Sequence, residues 1–578
     1  MTRSTTFPRA RLVAWLDAAS RFMLSLSLLT FVCQIGCGVR PDERPAIVTT
    51  ETKPALIEAE PDASSGDAGD WLARAPKETW DAIYLPGKRG ESKIGWSHTT
   101  IETTQENGET FVEISQESHL EVLRYRETTI QSIFSASREK ADGTFLSASC
   151  RLTSDGAVTQ TTNLERVEEG LRIERSAGGA ADTAVIPFPE GTAGYYGIDR
   201  SLLSKPMEPG ETRTIRYVAP AIDQVVEAML KAVDYEETPL LQSRKEKLLR
   251  IEATQRIGAA SFESQLWTNQ SGETLKSFEP LVGQTVYRTT KEIAEAQTEP
   301  VEVDLGLDTV APARLTRIED LTQAIFDVKV AGSDAATIFP ETTGQRVEAL
   351  PGGGARIWVN RIRPDSGPAD PGNGGKRGRA PGEADLASNA FLQSDDPSVQ
   401  AFARSIAPDE QDDWKIAVAL EKAVRETIEN KNLSQSLLSA ADVLKRKEGD
   451  CTEHAVLLAA ALRVREIPSR IAIGLTYVPG LGGFAYHMWT EAWISDRWIP
   501  LDATTARGGT SASYLKLEDS SLAGASPLSA FLPAMRVLNR LQVETSGMTY
   551  DGATPLGENG GSGTQKPARP IAGPALPP

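Results

Sequence analysis

Cys451 stands where an apolar run begins. The stretch Lys447-Glu448-Gly449-Asp450-Cys451-Thr452-Glu453-His454 opens residues 455–462, AVLLAAAL, and predicts a strongly apolar helix with the cysteine in its first turn. Main-chain N–H groups at a helix start lack intrahelical partners and, with the positive helix end, favour an anion. A thiolate is stabilised there, and the same N–H groups can hold the oxyanion of an acyl intermediate. Downstream, Tyr486-His487-Met488-Trp489-Thr490-Glu491-Ala492-Trp493-Ile494 reads as a strand, turns at Ser495-Asp496-Arg497 and returns as Trp498-Ile499-Pro500-Leu501-Asp502. With a two-residue loop, antiparallel pairing sets Asp502 opposite an odd-numbered residue, on the face that carries His487, Trp489 and Glu491. Carboxylate and imidazole then meet diagonally. A thiol nucleophile, an imidazole to take its proton and a carboxylate to orient that imidazole are the three roles of thiol-mediated acyl transfer. Cys451, His487 and Asp502 are the candidates for them.

The surroundings do not all favour this chemistry. Glu448, Asp450 and Glu453 crowd the thiol with negative charge, which an ion pair with His487 has to outweigh. Cys451 taken alone reads as a small buried hydrophobe. His454 either adjusts the thiolate or serves packing. Trp489, Trp493 and Trp498 read as core and cleft walls, Glu491 as a solvated or structurally paired side chain, and Ile467-Pro468 as a helix-to-strand turn.

The elements that must position these groups follow from periodicity. Residues 414–428 repeat apolar side chains at helical spacing, and residues 470–477 read as a strand. Earlier, residues 110–115, 119–128, 171–175, 212–218, 247–253 and 260–268 alternate apolar with polar, around Asn107-Gly108, Asp142-Gly143 and Asp155-Gly156 turns. Helical spacing interrupts them at 221–232. Domain boundaries are expected as follows: an export or lipoprotein signal at 1–37, a flexible spacer at 38–70, a β-rich domain at 71–300, a small β-rich module at 301–363, a linker at 364–390, the cysteine-bearing domain at 391–544 and a disordered tail at 545–578.

Charge and composition narrow the partners. The 79 acidic against 61 basic residues give a net charge of −18, which opposes general attraction to nucleic acid. Four cysteines and four histidines form no zinc-ligand spacing, so no metal or other cofactor is expected. Cys150 and Cys451 leave a single bridge open but no disulfide scaffold. Arg3, Arg9, Arg11 and Arg21 precede an apolar run at 22–32 and then Cys33-Gln34-Ile35-Gly36-Cys37, the layout of an export signal. Ile35-Gly36-Cys37 resembles a lipoprotein processing site that would leave Cys37 lipidated, with Gln34 departing from the usual aliphatic residue. The expected location is extracytoplasmic, at the periplasm or cell envelope, with a membrane tether through the N-terminus if Cys37 carries lipid.

Gly449-Asp450-Cys451-Thr452-Glu453-His454, Ile467-Pro468-Ser469-Arg470, His487-Met488-Trp489-Thr490-Glu491 and Trp498-Ile499-Pro500-Leu501-Asp502 occur in order. With the lead-in Phe391-Leu392-Gln393-Ser394-Asp395-Asp396, they resemble a bacterial branch of the transglutaminase-like superfamily of papain-like cysteine enzymes. The resemblance covers residues 391–544. It implies a C-terminal transglutaminase-like, papain-like domain, which with the mainly antiparallel β region read from alternation makes an α+β chain; that β region lies outside the family pattern. It also implies Cys451 as nucleophile, His487 as general base and acid, and Asp502 as orienting carboxylate. Some relatives use calcium, for which no ligand cluster is visible. The leading expectation is an exported cysteine enzyme acting on protein or peptide amides, with hydrolysis favoured over transamidation because an extracytoplasmic cleft is wet. The alternative is a non-catalytic binding or scaffolding protein of the envelope with a relic module.

Overall fold

Two-residue alternation builds most of this chain. The computed structural model describes residues 70–551 apart from 88–89, 125–126, 155, 178, 259, 299–310, 367–378, 430–437 and 524–531. The expected signal and the spacer up to residue 69, with Cys33 and Cys37, lie outside the described residues. Among the described residues, no helix is long and apolar enough to cross a membrane.

Fourteen antiparallel strands form the first sheet. Eight run as a meander from Glu78–Gly87 to Ala180–Ile186, and six more lie between Thr212–Ala219 and Gln284–Thr289. The first and last strands pair, with Trp80 opposite Thr289. Asn107 and Gly108 both take positive φ, 53° and 87°, between paired Glu106 and Glu109, the type I′ geometry that the dipeptide predicts. In the Glu109–Arg124 strand the buried residues are Val112, Ile114, Gln116, Ser118 and Leu120, so one face mixes apolar and polar groups. Gln116 donates to Thr99 at 3.0 Å and accepts from Tyr195 at 2.5 Å, which satisfies it inside.

The helical reading of residues 221–232 is corrected: Gln224–Pro239 is a strand paired on both sides. Val226, Ala228, Leu230 and Ala232 face inward at every second position, and neighbouring strands take the backbone hydrogen bonds a helix would have kept to itself. Ala221 and Ile222 in the preceding turn are also buried and mimic a helical stripe.

The C-terminal half has two smaller sheets. In one, Ser469–Val478 lies between Gly483–Ile494 and Tyr514–Ser520, while Ala311–Pro312 and Arg497–Leu501 both add to Gly483–Ile494. In the other, the order is Gln345–Leu350, Gly354–Asn360, Leu321–Val330, Leu541–Tyr550. The last strand corrects the start of the expected tail at 545. Thr545 to Tyr550 continue the ladder on Leu321–Val330, a long-range pairing that local composition does not reveal. The linker is packed at both described ends: Arg497 donates to the Ser366 carbonyl, Trp498 to the Arg379 carbonyl, and buried Asp385 pairs with Arg379 at 2.7 Å.

Among the described residues, four helices longer than one turn complete this half. Pro397–Ser405, Asp413–Thr427 and Ala440–Arg446 surround Cys451–Val464, which also packs on the two long strands. Side chains of Asp396, Asp412, Ser439 and Asp450 cap the four starts, each taking a main-chain N–H the helix leaves open. Cys451–Val464 is buried on every side through Arg463, as its unbroken apolar sequence requires.

Candidate active site

A glycine turn delivers Cys451. Gly449 sits at φ 151°, and a Cβ there would lie 2.4 Å from the Glu453 Cβ, so only glycine lets the chain pass this close to the helix it enters. Asp450 accepts from the Thr452 N–H at 2.8 Å, and Glu453 accepts from the Asp450 N–H at 2.8 Å. This is a reciprocal capping box with the cysteine as first helical residue. Glu453 also accepts from Leu438 N–H.

Cys451 is 0% exposed. Burial pushes its thiol well above the ordinary range, and the charge of Asp450 adds to this. A hydrogen bond from the Met488 main chain works the other way, while Glu453 and Asp502 raise it further. Burial, and then the charge of Asp450, push Glu453 up to about 8, so the negative crowding foreseen around the thiol is relieved in part.

The hairpin brings the other two groups together. Ser495 and Asp496, at φ 53° and 56°, make a two-residue turn; Ile494 pairs with Arg497 and Thr490 with Leu501. Asp502 follows one place later, opposite Trp489 and diagonal to His487, and its Oδ2 accepts from His487 Nε2 at 2.9 Å. Tyr514 donates to the same oxygen at 2.6 Å, and the Thr504 N–H and hydroxyl donate to Oδ1 at 2.9 and 2.6 Å. Burial would raise this carboxyl, but the His487 charge and hydrogen bond, then Thr504 and Tyr514, outweigh it and hold the group well below the usual carboxylate range. With Nε2 engaged by the carboxylate, Nδ1 is the ring nitrogen left to take a thiol proton. Met488, whose main chain reaches the sulfur, is the next residue in the strand.

Aromatic rings wall the imidazole. Trp489 stacks near it at 6.4 Å with 20° between planes, and Tyr514 meets it edge-on at 5.8 Å. Trp489 lies over Gly474, where a Cβ would sit 2.9 Å from the indole and 2.1 Å from the Leu515 carbonyl oxygen. His487 is 6% exposed. A cavity of about 40 Å³ adjoins Trp489 and Tyr514, roofed by residues 342–345 of the four-stranded sheet's lead-in. Gln345 fastens that roof with two hydrogen bonds of 2.9 Å to the main chain of Lys516. Neither Cys451 nor His487 lines this cavity, and the sulfur itself is buried.

The remaining singled-out residues are structural in their contacts. Glu491 is buried and paired with Arg470 at 2.7 Å and Lys516 at 2.7 Å, and Asp519 closes this network on both cations. His454 is buried, its Nδ1 donating to the Asp450 carbonyl at 2.6 Å. Trp493 and Trp498 meet edge-on at 5.4 Å, and Arg470 lies over Trp498. Cys150, in the Phe145–Ser154 strand, and Cys451 are both free thiols. Sequence reasoning did not find Thr504 or Tyr514. Thr504, two residues after Asp502, carries the Asx-type spacing that could have pointed to it. Tyr514 has no local signal.

A comparison with family models matches residues 400–503 to the transglutaminase-like superfamily. No curated protein matches the chain. Among solved structures, a candidate cysteine protease from Cytophaga hutchinsonii is 16% identical with TM-score 0.25, over 42% of this chain and 92% of its own. A β-barrel-like protein of a domain family of unknown function from Brucella abortus is 10% identical with TM-score 0.27, over 37% of this chain and 94% of its own. The periplasmic domain of TgpA from Pseudomonas aeruginosa is 14% identical with TM-score 0.22, over 34% of this chain and 76% of its own. Likeness at this level says nothing of activity. Residues 400–503, which hold Cys451, His487 and Asp502, thus match the transglutaminase-like superfamily within a longer α+β chain.

Proposed function

We propose that this protein is an exported cysteine enzyme that transfers acyl groups from protein or peptide amides, with hydrolysis as its main outcome. The observation that carries the reading is the His487 Nε2 to Asp502 bond at 2.9 Å beside a helix that begins with Cys451. His487 Nδ1 takes the thiol proton, and the sulfur attacks the amide carbonyl. The tetrahedral oxyanion is met by N–H groups at the helix start. His487 then gives its proton to the leaving amine, and the C–N bond breaks to leave a thioester on Cys451. Water, activated by the same imidazole, releases the acid; an amine in its place would give transamidation. Asp502 stabilises the imidazolium in both halves.

The closed site keeps the cysteine as a thiol, because burial dominates its proton affinity. Opening lets water in, removes most of that penalty and frees the thiolate–imidazolium pair. Export rests on the arginines and apolar run of residues 3–32, and a lipid tether on Cys37. The complete burial of Cys451 favours a second reading, a binding or scaffolding protein of the envelope with a relic module. Wild type and Cys451→Ala on a labelled peptide library, with and without a primary amine, separate the readings. Cysteine-dependent cleavage supports the enzyme, amine incorporation moves the outcome to transamidation, and no difference between the two proteins supports the binder.

A further inference from the structure

Asp502 lies at the start of an irregular loop, in which Thr504 holds the carboxylate Oδ1 but the loop's own main chain needs an anchor. Ala506 takes a positive φ of 47°, and Gly508 and Gly509 take 69° and 87°. Thr505 and Ala506 donate to the Asp502 carbonyl, while the N–H groups of Asp502, Gly508 and Gly509 take an acceptor from outside the loop. One buried side chain supplies it. Glu421, in the helix Asp413–Thr427, accepts from the N–H of Asp502 at 2.9 Å and of Gly509 at 3.2 Å on Oε1, and from Gly508 at 2.8 Å on Oε2.

The same helix holds the loop a second time. Arg425, one turn after Glu421, donates to the Thr504 carbonyl. From the other side Arg363 donates to the Thr510 carbonyl at 3.0 Å. The charged groups that act on Glu421 are the Asp502 carboxylate, which opposes its ionisation, and the Arg363 guanidinium. A solvent-exposed salt bridge could do none of this. Three N–H groups gathered by one carboxylate fix both ends of the loop relative to the helix bundle.

We propose that Glu421 is a positioning residue: by gathering the Asp502, Gly508 and Gly509 N–H groups it holds the Asp502 carboxylate against His487 Nε2 and so keeps Nδ1 the free ring nitrogen. The inference rests on the reading of His487 and Asp502 as an acid–base unit, but its readout does not need turnover. Glu421→Gln leaves one acceptor oxygen and turns an amide N–H toward main-chain donors, while filling the same space. Glu421→Asp keeps the charge and withdraws it by one methylene.

The test is exchange of the His487 Nε2 proton with water, followed by NMR on full-length protein with labelled histidine in a Cys451→Ala background. Four histidines make the assignment short. Loss of a charge-assisted hydrogen bond supports a rise of about 10- to 100-fold in exchange rate for Glu421→Gln, with a smaller rise for Glu421→Asp. Amides of the buried helix Cys451–Val464 serve as the control for general loosening. In an Asp502→Ala background, where neither a carboxylate nor a carboxamide faces Nε2, the effect of Glu421→Gln should vanish, since the path runs through that carboxylate. Unchanged His487 exchange in a folded variant, or a rise shared equally by the control amides, would overturn the proposal. If Glu421→Gln does not fold, Glu421→Asp decides by the same comparison. Failure of peptide cleavage in the wild type, with the exchange effect intact, would remove the enzymatic reading and leave the positioning role standing.

Discussion

Asp502→Asn is the perturbation with the most to separate, because its structural and chemical costs should differ in size. The carboxylate accepts four hydrogen bonds. An asparagine carbonyl at Oδ1 keeps the two from Thr504. At Oδ2 an NH2 group would face His487 Nε2–H and the Tyr514 hydroxyl, donor against donor. Tyr514 can rotate its proton away and accept. The imidazole relieves the clash by moving its proton to Nδ1, and it then no longer has a basic nitrogen free for the thiol. Stability should fall by only about 2–3 kcal/mol, the order of one charge-assisted bond. The rate of Cys451 alkylation by iodoacetamide at pH 7 should fall by roughly 10³-fold, about 4 kcal/mol in barrier. A pH signature accompanies this. Because the folded-state Asp502 is held below its ordinary value of 3.8, its contribution is present above that pH and drains away as pH falls toward the depressed folded value. The variant should lack this acid-side loss. A large drop in melting temperature with unchanged alkylation would refute the reasoning, since Asp502 would then be a structural anchor and no more.

Gly449→Ala puts a Cβ 2.4 Å from that of Glu453 at φ 151°, so melting should show a loss of about 2 kcal/mol or more and slower Cys451 labelling. Burial and Asp450 push Glu453 up to about 8, so its contribution is full below 4.5 and is lost as pH rises through about 8. Denaturant titrations should therefore find the wild type losing stability between pH 5 and 8, and Glu453→Gln giving a flatter curve. Glu491→Gln leaves buried Arg470 and Lys516 short of a carboxylate, and urea midpoints should report about 3–5 kcal/mol of destabilisation. Equal stability of that variant would show the network to be dispensable.

What was readable in the sequence was what short-range rules determine. The helix start at Cys451, the two-residue turn at Ser495-Asp496 and the diagonal of His487 and Asp502 all follow from spacing over a few residues. So does the alternation of the large sheet. The rest depends on partners far along the chain. Residues 221–232 show two periodicities at once, and only strands on both sides decide between them. Thr545 to Tyr550 look like the start of a tail until Leu321–Val330 lies beside them. Tyr514 and Glu421 reach the Asp502 loop from different elements, and no local pattern marks either. The seal over the thiol is a property of packing, which the sequence shows only as hydrophobicity around Cys451.

The most direct test of the account is the pH dependence of Cys451 alkylation in wild type and His487→Ala. An unassisted thiol becomes reactive near pH ~8.5. A thiolate paired with His487 should react at least two pH units lower, and that reactivity should disappear in His487→Ala. Labelling that begins only in the ordinary thiol range, or is the same in both proteins, would contradict an acyl-transfer site at Cys451.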